Sequence, residues 1–111
     1  MQSLEAFDLE RLGEEHHALG KLYLEFLRVP SLSMGLYVLT AGSNDPQSPH
    51  TEDEVYYVVS GEATINVGGE DQQVRTGSII YVAANVPHHF HTIRQELRVL
   101  VFFAPAEYSL G

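Results

Sequence analysis

Four of the chain's six histidines fall into two groups that could do chemistry: His50 alone, and His88, His89 and His91 together. Around the first, Glu52, Asp53 and Glu54 run straight into the apolar segment VYYVV. If the chain is extended from Ser48 to Ser60, alternation puts Ser48, His50, Glu52, Glu54, Tyr56 and Val58 on one face. On the later segment His88, Phe90 and Thr92 share a face, and His89 and His91 point the other way. A barrel interior built from both segments would present His50, Glu54 and His88 together. Two imidazoles and a carboxylate, with positions left open for water, suit a divalent Fe, Mn, Ni or Zn. Glu52 reads as a solvated turn residue, with a place as a fourth ligand the alternative that its parity allows. Asp53 reads as solvent-facing, His89 and His91 as outer-face residues. His16 and His17 are adjacent, cannot share one face, and read as surface.

The elements that must position these residues are strands. KLYLEFLR, SMGLYVLT, EVYYVVS, ATINV, EDQQVR, SIIYVA, HHFHTI and LRVLVFFA follow one another at short spacing, separated by turn residues. Gly68-Gly69 is a two-residue hairpin signal, and Pro105 ends the last strand. About eight strands without intervening helices predict an all-β sandwich or barrel and disfavour a parallel sheet. Residues 1–20 differ: Leu4, Phe7 and Leu12 recur at roughly helical spacing among acids, with Ser3 a candidate N-cap and Gly13 a candidate stop. The reading is an N-terminal helical or irregular arm over 1–20, not a separate domain, followed by one barrel domain over 21–111.

The spacing of the candidate ligands resembles that of the cupins, small β-barrels of jelly-roll (double-stranded β-helix) type. Their first motif is Gly, five residues, His-x-His, three or four residues, Glu, six residues, Gly. Gly42, Ser48-Pro49-His50, Glu54 and Gly61 fall into step with it. Their second motif is Gly, five residues, Pro-x-Gly, two residues, His, three residues, Asn. Gly77, Ala83-Ala84-Asn85, His88 and Thr92 keep that register. The resemblance implies a mononuclear divalent metal, with the family's three-His, one-Glu set reduced here to His50, Glu54 and His88. Ser48 stands in the slot of the first metal histidine, and serine is a poor ligand for a transition metal. Asn85 replaces a glycine, but Asn tolerates positive φ better than most residues.

Composition excludes several classes of function. A net charge of −9 argues against nucleic acid and against an anionic membrane surface. With no cysteine, thiolate sites and cysteine nucleophiles are ruled out. The N-terminal residues lack the pattern of a signal peptide, and no apolar run approaches the roughly 20 residues of a membrane span. A cytoplasmic location is therefore the expectation. The resemblance implies small-molecule chemistry such as oxygenation, isomerisation or carbon–carbon cleavage. The alternative is a non-catalytic small-molecule-binding or sensing module, with or without a vestigial metal site. No residue outside the ligand set stands out as a general acid or base. An arginine on the inner face, Arg28 or Arg98, would attract a substrate carboxylate. The apolar residues of the arm and the first strand point to a homodimer.

Overall fold

The computed structural model describes residues 3–111. One helix precedes six antiparallel strands: α1 (Leu9–Leu19), β1 (Tyr23–Val29), β2 (Leu32–Leu39), β3 (Asp53–Val67), β4 (Glu70–Arg75), β5 (Ile79–Val82) and β6 (His88–Ala104). The sheet order is β1-β2-β6-β3-β4, and β5 pairs with β3. The first half of β3 lies between β5 and the second half of β6. Its second half lies between β4 and the first half of β6. This sheet closes on a core that includes Tyr56, Val58, Ile65, Phe90, Leu97, Val99 and Phe103.

The eight apolar segments become six strands because two pairs of them fuse. EVYYVVS and ATINV form β3, and HHFHTI and LRVLVFFA form β6. Each long strand changes its buried parity at a bend. Along β3 the even positions Glu54, Tyr56 and Val58 are buried before Gly61, and the odd positions Ala63 and Ile65 after it. Gly61 has φ 105, and a Cβ there would lie 2.2 Å from the carbonyl oxygen of Glu96. Along β6, His88 and Phe90 are buried, Thr92 takes φ 50, and burial then moves to Ile93. Thr92 is accordingly exposed and leaves the face it was expected to share with His88.

The expected hairpin forms at Gly68-Gly69, where both residues have positive φ and Val67 pairs with Glu70. The arm is helical, with bounds different from those expected. Asp8, not Ser3, caps the helix by accepting from the N–H groups of Glu10 and Arg11. Gly13 does not stop it; Gly20, at φ 71, does. Gly13 lies inside the helix, where a Cβ would meet the Arg98 guanidinium at 2.5 Å. The helix packs on β1 and β2 and buries Leu12, worth about 2 kcal/mol in apolar area removed from water. Among the described residues no helix is long and apolar enough to cross a membrane.

Candidate metal centre

Three elements bring the candidate ligands together. His50 lies on the loop between β2 and β3, and its carbonyl accepts from the N–H of Asn85 at 2.7 Å. That donor is oriented by the positive φ of Asn85, 65°. Glu54, near the start of β3, is flanked by Val82 of β5 and Phe103 of β6. His88 is the first residue of β6. All three are buried, and one ligating atom from each lies within 4.8 Å of the others.

Partners outside the cluster set how the two rings present their nitrogens. His88 Nδ1 donates to the Val86 carbonyl at 2.9 Å, so in the neutral ring Nε2 carries the lone pair. That lone pair faces Glu54 Oε1 at 2.7 Å. His50 Nε2 lies 2.9 Å from Glu107 Oε2, and the neutral ring donates there, leaving the Nδ1 lone pair 3.2 Å from Glu54 Oε1. His50 Nδ1 and both Glu54 carboxylate oxygens are buried without a hydrogen bond of acceptable angle. Two lone pairs and a carboxylate thus converge. Acceptors repel one another in a low-dielectric interior, and only a cation or added protons reconcile them.

The titration of these groups follows the same logic. Burial pulls the His50 imidazole down, but the carboxylates of Glu107 and Glu54 outweigh it and raise its pKa to about 9. His88 is also pulled down by burial and raised on balance by Glu54 and the Val86 carbonyl. Glu54 is pushed up by burial and held below the usual carboxylate range by the two histidines. Two imidazolium protons or one divalent cation would supply the same charge, so the donor set fits such a cation.

Beside the cluster is a cavity of about 360 Å³. Tyr23, Tyr37, Phe103 and Tyr108 form aromatic walls next to His50, Glu54 and Glu107. Gly35 makes room for the Tyr23 ring, since a Cβ there would lie 2.1 Å from it. The Tyr23 hydroxyl is buried and unpartnered.

Several expectations are corrected here, while those of Asp53 as solvent-facing and of His89 and His91 as outer-face residues hold. Ser48 is exposed, although it touches the cavity rim. Residues 43–50 form no strand, and Pro46 and Pro49 lack the N–H that strand pairing needs, so the inward row begins at His50. Glu52 is neither solvated nor part of the cluster. It is buried and accepts from the N–H groups of Tyr108 at 2.6 Å and Leu110 at 2.9 Å and from the Thr51 hydroxyl. Asp53 is exposed and pins the next loop through the Ala84 N–H and the Tyr81 hydroxyl. Neither arginine reaches the cavity: Arg28 bonds Glu25 and the Glu107 carbonyl, and Arg98 abuts Gly13 of the helix. His89 is exposed, and His91 pairs with Asp71 away from the centre. His16 Nε2 meets the Leu22 carbonyl at 2.6 Å.

Sequence reasoning missed Glu107 and Gln47. Glu107 lies beyond the last strand, and nothing in its spacing tied it to His50. Gln47 Oε1 lies 3.1 Å from His88 Nε2 and accepts from the Tyr56 hydroxyl at 2.8 Å. Its signal was its place next to the vacant ligand slot.

Comparison with known proteins agrees with this architecture. The family profile described as Cupin domain matches residues 35–103. An uncharacterized protein of Streptomyces coelicolor is 53% identical over 104 residues, which cover 94% of this chain and 99% of that protein. An RmlC-like cupin family protein with a double-stranded β-helix fold from Methanocaldococcus jannaschii superposes with a TM-score of 0.73 at 20% identity, covering 95% and 92% of the two chains. The DMSP lyase DddQ of Ruegeria pomeroyi superposes with a TM-score of 0.64 at 23% identity over 68% of this chain, which spans only 39% of that enzyme. At such identities the structural likeness is one of fold alone. The matched profile and the Streptomyces relative, taken with the barrel and its motifs, establish that the chain belongs to the cupin family.

Proposed function

We propose that the protein holds one divalent transition metal (Fe, Mn, Ni or Zn) through His50, Glu54 and His88, and acts on a small molecule bound in the adjoining cavity. The observation that carries this reading is the buried convergence of His50 Nδ1, His88 Nε2 and the unsatisfied Glu54 carboxylate. Such a metal would supply Lewis acidity or activate a bound oxygen species. The chain's own residues would orient it and its ligand: Glu107 holds the His50 ring, the Val86 carbonyl holds His88, and the aromatic walls exclude water. No Lys or Arg lines the cavity, and two carboxylates do. These features favour an uncharged or cationic, largely apolar ligand with an acceptor for the Tyr23 hydroxyl.

The test is thermal melting of untagged protein with and without a chelator. A metal that binds only the native state raises Tm, and chelation lowers it. Wild type should show this difference, and Glu54→Ala and His88→Ala should abolish it. Equal melting of all three proteins under both conditions would end the metal reading. The proposal includes a homodimer, supported by the exposure of Leu4, Phe7 and Leu22. Sedimentation as a monomer at micromolar concentration would exclude that part.

A further inference from the structure

We propose that Gln47, and not Ser48, supplies the fourth protein donor at the metal centre. The inference rests on the metal reading above and goes further, because the motif register assigns that slot to position 48.

Gln47 Oε1 approaches His88 Nε2 to 3.1 Å, and Glu54 Oε1 approaches the same nitrogen to 2.7 Å. The amide oxygen therefore lies beside one of the ligating nitrogens, and Gln47 lines the same cavity as His50 and Glu54. Which end of the amide faces inward is settled by its surroundings. The Gln47 amide nitrogen donates to Asp45 Oδ2 at 2.5 Å, and the Gln47 backbone N–H donates to Asp45 Oδ1 at 3.3 Å. Asp45 is itself held by the Phe90 N–H at 2.9 Å and the Tyr37 hydroxyl. The Tyr56 hydroxyl takes one lone pair of Oε1. A carbonyl-type oxygen has two, so one remains for a cation.

An amide oxygen is a neutral, hard donor, unlike imidazole. Exchanging an imidazole for it moves the set toward metals that accept oxygen, Mn(II) ahead of Zn(II). A site with two nitrogens and two oxygens should discriminate less strongly against Mn(II) than the family's three-histidine set.

The experiment is competitive titration of the full chain with Mn(II) and Zn(II) against a chromophoric chelator. Wild type, Gln47→Ala, Gln47→Glu and Ser48→Ala are compared. Gln47→Ala should weaken Mn(II) about tenfold or more. Gln47→Glu, which keeps an oxygen in place, should bind at least as tightly as wild type. Ser48→Ala should stay within about twofold of wild type, as expected for a residue that donates nothing to the metal. Melting in excess chelator identifies any variant whose loss is one of folding, and Gln47→Glu then decides the case. A second readout is the side-chain amide NMR resonance of Gln47, which should shift on addition of diamagnetic Zn(II). Metal binding by wild type with Gln47→Ala unaffected, or with Ser48→Ala the weaker variant, overturns this assignment alone. Failure of wild type to bind either metal overturns the metal reading, and this assignment with it.

Discussion

Glu52 and Glu54 are two residues apart, both buried, and do different work. Glu54 faces two histidines, while Glu52 faces the backbone of the C-terminal tail. Alternation correctly gave them one parity but could not distinguish their partners, because the Tyr108 and Leu110 N–H groups come from more than fifty residues away. Replacing Glu52 by Gln turns an acceptor into a half-donor facing N–H groups and should cost about 1–3 kcal/mol in a urea unfolding titration. Burial raises the Glu52 carboxyl, but the Thr51 hydroxyl and the tail N–H groups lower it on balance. Its contribution is therefore present above the usual carboxylate pKa and lost as pH falls through the depressed one. On the proposed metal reading, Glu107 acts through His50 as a positioning residue. Glu107→Ala should lower metal affinity about tenfold, as loss of an outer partner of a ligating histidine does. Competitive titration reads that loss, and unchanged affinity would remove Glu107 from the account.

At the scale of the elements, the sequence pattern located nearly every extended segment and miscounted the strands. Gly61 looked like a strand end because glycine marks turns, and the polar run 94–96 just after Thr92 looked like a gap between strands. In the fold Gly61 and Thr92 are bends, and pairing between β3 and β6 continues past both with register shifts. Periodicity reports which side is buried and cannot report whether hydrogen bonding persists through a change of side. The loop before β3 reads as extended only when the alternation of β3 is carried back to Ser48, a stretch in which Pro49 lacks the N–H that strand pairing needs. Gly61→Ala places a Cβ 2.2 Å from the Glu96 carbonyl oxygen at φ 105 and should cost at least about 2 kcal/mol. Gly69→Ala, at φ 92 with nothing within 4 Å, should cost only about 1 kcal/mol. Chemical denaturation of the two variants checks the difference, and equal losses would mean that the close approach at Gly61 is not what constrains it.

The whole molecule carries a net charge of −9 and sets the buried Glu54 carboxylate against two buried histidines, with the half-buried Glu107 beside His50. Without metal, protonation of His50 supplies the missing charge. Its pKa is raised from the ordinary 6.5 to about 9. That contribution to stability is complete below about 6.5 and lost as pH rises through about 9. A metal needs the ring neutral, so its contribution grows over the same interval. Melting temperatures with and without chelator should therefore diverge as pH rises from 6.5 toward 9. A gap that stayed constant or narrowed would mean that metal and proton do not compete for His50. The most direct test of the central claim is elemental analysis of untagged protein purified without added metal. The account predicts close to one Fe, Mn, Ni or Zn per chain in wild type and almost none in Glu54→Ala. Wild type free of metal, or equal content in both proteins, would contradict it.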